Sequence, residues 1–474
     1  MGLAACGTAA WLVYTLAFAI PYTLDDGLQR PLMDFARLTG PSPGPTMAFI
    51  VSVAALFILY GVSVKLCLGL EGSRKAMILV CGFGAASAIV LLAMYPIFSL
   101  DIFYYMNADR IWSVYRENPF VVPPLQGAHD PFFPYNAWGH YPLPYGPLWP
   151  WITRATSFFG GGAILPTLLA FKGLSVIGYV SCLPILAWAV KVTRPERKLT
   201  ALCIFAWNPL VLLELAGGGH NDAIALVPAA IALGLWARRR TMSTALALTV
   251  SFLIKATVLI AVPALLWPGF RRALGQRRLT RWGLVHAAPA LGLVVLSWLP
   301  FWTTANATSF LKEAGQFHYS ITAVLMAATP AVWKDVVLRL IQAALMLTFA
   351  GYYLAQLGQL ATEGTSALRS LWRIMVLYIL LVAPFYAGWY MVWPTFVAAM
   401  LAERRLTALT ALLGVGSLAT YVVQFVVRPI AAPTLGSAEL NALGALAASG
   451  PFLVGVFLLG WRERTQERRV AALA

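Results

Sequence analysis

The chain has 474 residues, of which 60% are hydrophobic and only 11% charged, and it carries a formal net charge of +16 from 34 basic and 18 acidic side chains. A soluble domain holds about a quarter charged residues, and surface-to-volume scaling leaves too much wetted surface to hide this apolar excess in one core. With a mean hydropathy of +0.75, the composition excludes a soluble enzyme, a disordered chain and a fibrous protein, and predicts an all-α polytopic membrane protein.

In chain order, the first apolar stretch is Leu3 to Ile20. It lacks a basic flank and runs into Pro21-Tyr22 without a small-residue cleavage site, so a retained first helix is expected. Full spans are predicted near 4–21, 46–69, 76–97, 165–190, 281–302, 336–361, 406–427 and 441–461, because a bilayer core needs roughly 17–25 apolar residues. Shorter apolar runs lie near 199–215, 223–237, 241–254, 256–268, 370–385 and 388–402.

The positive-inside rule orders the short runs. Arg238-Arg239-Arg240 and the cluster Arg271, Arg272, Arg277, Arg278 and Arg281 should share the cytoplasmic side. The chain between them then rises and returns as two short helices, with Lys255 at the apex. Residues 370–402 behave likewise between Arg369, Arg373, Arg404 and Arg405, turning at Pro384–Tyr390. Run 199–237 turns at Gly217–Asp222. About 14 membrane segments result, with both termini cytoplasmic. The expected organisation is one membrane domain over 1–474. It has a large outer loop at 98–164, a second at 303–335, and a basic cytoplasmic tail at 462–474. Basic residues gather inside and the outer side is nearly neutral, so the charge reads as topology and not as nucleic-acid binding. Neither a fixed-period repeat nor the inverted symmetry of a transporter is visible.

Cys6, Cys67, Cys81, Cys182 and Cys203 lie in apolar runs without metal-ligand spacing, and they read as small buried hydrophobes. Candidate chemistry begins with Asp101, directly after the third span. It is either a cap of the helix near 102–116 or a functional carboxylate at a membrane boundary. Asp109 and Arg110 read as solvated charges. Asn118-Pro119-Phe120 opens an extended stretch, and residues 130–151 are dense in proline and aromatics, including Trp138, His140, Tyr141 and Tyr145. They form either an interfacial aromatic belt or a wall that binds sugar and lipid.

Trp207-Asn208-Pro209-Leu210 and Glu214 precede Gly217-Gly218-Gly219-His220-Asn221-Asp222. This turn reads either as a cap, with Asp222 capping the next helix, or as a phosphate cradle at a helix N-terminus. Lys255 either snorkels or meets an anionic lipid head. Trp389-Tyr390 and Trp393-Pro394 extend the same outer wall. His286, His318 and Lys312-Glu313 lean toward structural roles, and Asn306-Ala307-Thr308 is a weak glycosylation match.

The ordered set Ser99–Tyr105, Glu117–Phe120, Pro142–Leu148, Trp207–Leu210, Gly218–Asp222, Trp389-Tyr390 and Trp393-Pro394 resembles the GT-C glycosyltransferases. It is most similar to the polyprenol-phosphate-mannose-dependent α-mannosyltransferases, including the α-1,6 enzymes and glycosyltransferase family 87. Many members carry paired acidic residues in the first outer loop, whereas here Asp101 stands alone.

The resemblance implies a GT-C fold in the plasma membrane, with its active site on the extracytoplasmic face. The implied reaction is inverting transfer of mannose from a polyprenyl-phosphate donor to a lipid-linked or glycan acceptor. Asp101 would act as base, and Lys255, His220 and Arg110 would bind the donor phosphate. Tyr104, Tyr105, Asn118, Tyr145, Asn221, Asp222, Trp389 and Tyr390 would bind substrate. Donor, acceptor and membrane lipids are then the partners, without cofactor, metal or nucleic acid. Glucose, arabinose or aminoarabinose as the sugar, a lipid or solute transporter, and a non-catalytic scaffold are the competing expectations.

Overall fold

The structure, a computed structural model, describes residues 1–40, 43–302, 318–360 and 364–473; side chains at 331, 359, 360 and 462–473 are outside the description. Every named element is helical. The main helices, leaving aside short turns such as Leu24–Leu28 and Phe35–Thr39, are in chain order α1 (Gly2–Ala19), α2 (Pro43–Leu68), α3 (Arg74–Leu91), α4 (Asp101–Ser113), α5 (Leu148–Phe158), α6 (Ile164–Thr193), α7 (Pro195–Ala206), α8 (Pro209–Gly217) and α9 (Asp222–Ala237). There follow α10 (Thr241–Ile254), α11 (Ala256–Gly275), α12 (Leu279–Phe301), α13 (Ile321–Ala328), α14 (Lys334–Leu360), α15 (Thr365–Val382), α16 (Val392–Leu401), α17 (Arg404–Ala431) and α18 (Ser437–Leu473).

Among the described residues, ten helices are long and apolar enough to cross a membrane, or eleven if the bent pair α7–α8 is counted as one span. The chain is an all-α polytopic membrane protein. Helices α9 and α10 are apolar but shorter. The third span ends at Leu91 instead of continuing to 97. Pro96 cannot donate to a helix, and the Tyr95 amide instead bonds the Tyr22 carbonyl at 2.8 Å. The 199–215 run breaks by 49° between α7 and α8. Pro209 fixes that break, and the Asn208 side chain accepts from the Leu210 and Val211 amides, satisfying donors that a new helix start leaves open. Of the second outer loop, residues 303–317 lie outside the described residues, and with them Asn306–Thr308 and Lys312-Glu313. The tail arginines Arg462, Arg464, Arg468 and Arg469 lie outside the described side chains, although α18 runs on to Leu473.

Helix α9 is wedged between α6 and α10. Its alanines Ala223, Ala225, Ala229, Ala230 and Ala232 are buried around the helix, and small side chains let backbones approach closely where lipid supplies no hydrophobic drive. A Cβ on Gly178 of α6 would lie 2.7 Å from the Ala223 carbonyl oxygen, so this contact requires glycine. Cys67, Cys182 and Cys203 are buried, Cys6 and Cys81 partly so, and all five are free thiols.

Chain direction gives the bundle two chemically different ends. At one, α3 and α10 finish while α4, α9 and α16 begin, which brings Asp101, Asp222, Lys255 and Trp393 to the same level. At the other, Glu403 accepts from Arg369 at 2.8 Å and pairs with Arg194 at 3.4 Å. There too the Arg238 guanidinium lies over Trp188 at 3.9 Å.

Candidate active site

Asp101 is the first residue of α4, and Leu100 occupies the cap position. Its carboxylate is therefore not a cap. Oδ1 accepts from the Trp138 indole at 3.0 Å, and Oδ2 lies 3.8 Å from Nδ1 of His220. The Asp101 side chain keeps 14% exposure, whereas His220 is fully enclosed. On the other edge of the imidazole, Nε2 lies 3.3 Å from Oε2 of Glu214. The contact is close but lacks the alignment of a hydrogen bond. Glu214 Oε1 accepts from the Tyr421 hydroxyl at 2.8 Å. The flat face of His220 stacks on Trp389, with ring centres 4.1 Å apart.

Glu214 reaches this position because Leu212–Gly217 winds as a π-helix, a local widening that recurs at functional sites. The glycines that follow are not an open cradle for phosphate. A Cβ on Gly217 would lie 2.7 Å from Met94, and one on Gly219 2.4 Å from Ile102. Gly219 also has φ +73, a conformation that costs other residues energy. The run is a joint packed on the protein itself, and it delivers His220, Asn221 and Asp222 in succession.

Asp222 does not cap α9 either. Oδ2 accepts from the Lys255 ammonium at 2.6 Å, and Oδ1 from the Trp393 indole at 2.7 Å. Lys255 also donates to Asn221 Oδ1 at 2.9 Å and faces the Tyr145 ring at 5.5 Å. It sits in the break between α10 and α11, the apex expected from the charge pattern. The proline-rich loop is fastened to that apex: the Gly146 amide bonds the Ile254 carbonyl at 3.1 Å. A Cβ on Gly146 would lie 2.2 Å from the Leu253 carbonyl oxygen. Tyr105 links the two halves by donating to Asn221 Oδ1 at 3.4 Å.

Asp101, His220, Asn221, Asp222, Lys255, Tyr105, Tyr145 and Trp389 are thus brought together, and Tyr390 packs beside Trp389 with ring centres 6.0 Å apart. Tyr104 bonds the Tyr141 carbonyl at 3.2 Å. Arg110 is not brought to this cluster. It is paired with Asp130 at 2.6 Å and lies over Phe132 at 4.3 Å, because it points from α4 into the loop instead of toward α9. Nor are Asp109 and Arg110 solvated: Asp109 is 2% exposed, and burial pushes its carboxyl above the usual carboxylate range against the pull of Ser157, Ser113, Thr153 and Arg154. Asn118 ties the loop to α12 by donating to the Phe301 carbonyl at 2.9 Å.

Two buried charges escaped the sequence reading of the site. Glu214 was noted only as a neighbour of the glycine turn. Lys172, on α6, is fully buried and donates to the carbonyls of Ala216 and Gly217, where the negative end of the preceding helix offsets its charge. Each stands alone in an apolar run, and an ionisable residue at membrane depth is a functional candidate on that ground alone. Among the described residues, no group of three His, Cys, Asp or Glu side chains could hold a metal ion.

A multi-pass helical protein with a buried carboxylate–imidazole–carboxylate row beside a paired lysine, all at one end of the bundle, is a membrane protein built around a polar site. The family described as alpha-(1->6)-mannopyranosyltransferase, N-terminal domain, matches residues 4–271, and the chain belongs to it. The chain is 25% identical over 368 residues to alpha-(1->6)-mannopyranosyltransferase A of Mycobacterium tuberculosis, covering 70% of this chain and 66% of that protein. It is 26% identical over 200 residues to alpha-(1->6)-mannopyranosyltransferase A of Corynebacterium glutamicum, covering 40% and 39%. Over 145 residues it is 30% identical to a probable alpha-(1->6)-mannopyranosyltransferase of Mycolicibacterium smegmatis, covering 29% and 25%. The matches therefore span from 25% to 66% of these relatives' lengths.

Proposed function

We propose that the protein is an inverting mannosyltransferase that moves mannose from a polyprenyl-phosphate donor to a lipid-linked or glycan acceptor, at the outer face of the plasma membrane. The observation that carries this reading is the placement of His220 between Asp101 and Glu214, next to Lys255 on Asn221 and Asp222. Family membership supports the sugar. The outer-face location is supported by the basic residues gathered at the opposite end of the bundle.

In this mechanism the acceptor hydroxyl attacks the anomeric carbon, and its proton passes to Asp101, the carboxylate that keeps access to solvent. The bond from the anomeric carbon to the phosphate oxygen breaks, and polyprenyl phosphate leaves with the electron pair. A β-linked donor gives an α-linked product. Lys255 and His220 offset charge developing on the leaving phosphate in a site screened from water. Glu214, held by Tyr421, orients the imidazole. Tyr145 and Trp389 supply aromatic faces for the sugar. The leaving group is a phosphate monoester, so its departure does not require a divalent ion to neutralise a diphosphate.

The test is transfer by purified protein from labelled polyprenyl-phosphate mannose to an α-1,6-linked oligomannoside. The native chain is expected to transfer with and without exhaustive chelation. Asp101→Asn should lower kcat by about 10²–10⁴-fold, the usual worth of a general base. Full activity in this variant would remove Asp101 from the role.

A further inference from the structure

Lys172 is a buried charge that the transfer mechanism leaves unused. It lies within α6, fully enclosed. Its ammonium donates to the Ala216 carbonyl at 3.1 Å and to the Gly217 carbonyl, and among the described residues it pairs with no carboxylate. The backbone it meets explains the need for it. At the end of α8 the carbonyls of Leu213, Glu214 and Leu215 accept from the amides of Gly218, His220 and Gly219 at 2.8, 3.4 and 3.2 Å. Gly219 then turns at φ +73, and the chain leaves the helical path. The next two carbonyls, Ala216 and Gly217, are the pair that Lys172 takes. A helix end leaves carbonyls without amide donors, and burial makes an unmet carbonyl costly. One ammonium has three N–H donors, enough for both, and its charge meets the negative end of the helix dipole.

The same side of α6 holds the rest of the joint. Ser175, three residues on, donates to the His220 carbonyl at 3.4 Å. Gly178, three further on, meets the Ala223 carbonyl, where a Cβ would lie 2.7 Å away. Residues three apart are neighbours on a helix surface, so Lys172, Ser175 and Gly178 form one line that follows the chain from Ala216 to Ala223. On its other side Gly219 meets Ile102, the residue after Asp101. The joint is therefore clamped between α6 and the start of α4. A shift of the Ala216–Gly219 backbone moves His220 relative to both Glu214 and Asp101.

We infer that Lys172 is a positioning residue for the transfer reaction, an inference that rests on the reading of His220 given above. By holding the Ala216 and Gly217 carbonyls it sets the path of the chain between Glu214 and His220, and with it the seat of the imidazole between its two carboxylates. It acts through the backbone. An apolar side chain of similar length fills the space but leaves both carbonyls unmet, so its effect falls on the chemical step and not on donor binding.

The test compares Lys172→Met, Lys172→Gln and Ser175→Ala in the full chain. The control is Tyr60→Phe, which removes another buried bond from a side chain to a carbonyl, that of Ile204. Lys172→Met should lower kcat about tenfold with KM unchanged, within the scale of a misplacement of up to an ångström. Lys172→Gln, with N–H donors on a shorter arm, and Ser175→Ala should each lose several-fold; they carry the comparison if Lys172→Met does not fold. In a Glu214→Gln background Lys172→Met should cost no more than about twofold further, because residues that act through one group are not additive. Tyr60→Phe should lower Tm and leave kcat unchanged. A second readout is independent of transfer. The imidazole nitrogen NMR signals of His220, identified by their loss in His220→Gln, should move in Lys172→Met and stay in place in Tyr60→Phe. Full multiplication of the Lys172 and Glu214 losses overturns the inference, as does a lowered Tm in Lys172→Met with kcat and the His220 signals unchanged. If the native chain transfers no mannose, the functional reading fails, and the His220 signals still decide the role of Lys172.

Discussion

Nε2 of His220 lies 3.3 Å from Oε2 of Glu214, and neither side chain is exposed. Asp101 stands alone in its loop, but the fold supplies a second carboxylate from the π-turn of α8, on the far edge of the same imidazole. A buried carboxylate is costly unless paired and hydrogen-bonded; Tyr421 hydrogen-bonds Oε1 of Glu214, while Oε2 has only its close, unaligned contact with His220.

The consequence is testable at Glu214. Glu214→Gln keeps an acceptor for Tyr421 and removes the charge that holds His220. Turnover should fall by about 100-fold, the scale expected when a reacting group is displaced by an ångström, while KM changes little. Initial-rate kinetics across donor concentrations check this; a rise in KM alone would assign Glu214 to donor binding instead.

Lys255 and Asp222 satisfy each other in the protein interior. Lys255→Met alone should cost about 3–5 kcal/mol, because it leaves the buried Asp222 carboxylate without a counter-charge, held by the Trp393 indole alone. The double variant Lys255→Met/Asp222→Asn removes both charges and should recover most of that stability without recovering transfer. Thermal melts and the transfer assay, read together, separate the lysine's structural contribution from its contact with donor phosphate.

Gly146 fastens the aromatic loop to the Lys255 apex. Gly146→Ala places a methyl group 2.2 Å from the Leu253 carbonyl oxygen, and backbone cannot yield as a flexible side chain does. Overpacking of this kind costs about 1–3 kcal/mol. A lowered Tm accompanied by reduced transfer is the expected outcome, because the Tyr145 ring and Lys255 move apart.

Asp109 predicts a dependence on pH. Burial raises its carboxyl in the folded state above the unfolded value of 3.8. The protonated form is therefore favoured in the fold, and its stabilising contribution is full at pH below the unfolded value. That contribution falls as pH rises from the unfolded toward the folded pKa. Asp109→Asn, neutral and of the same shape, should equal or exceed the native Tm at neutral pH. It should also gain less on acidification from pH 7 to pH 5. Melting curves at the two values decide it, and identical pH profiles for the two proteins would show that Asp109 titrates as an ordinary exposed acid.

Membrane character, the positions of most helices and the sign of the two ends were legible in the chain, because hydropathy and positive-inside bias act locally and sum along the sequence. The apex at Lys255 followed from two arginine clusters separated by too much chain for one crossing. The role of each polar side chain was not local. Asp101 and Asp222 both stand where a cap residue is expected, yet Trp138, Lys255 and Trp393 claim their carboxylates from 33 to 171 residues away. Arg110 resembled a phosphate ligand until Asp130, across the loop, took its guanidinium.

The glycine turn looked like an anion cradle because glycine leaves backbone open; only packing against Met94 and Ile102 reveals that the protein fills that space itself. Glu214 and Lys172 were visible as single charges in apolar runs, but a run does not say what it packs against. Burial creates the need for a partner, and distant segments brought together by the fold supply it.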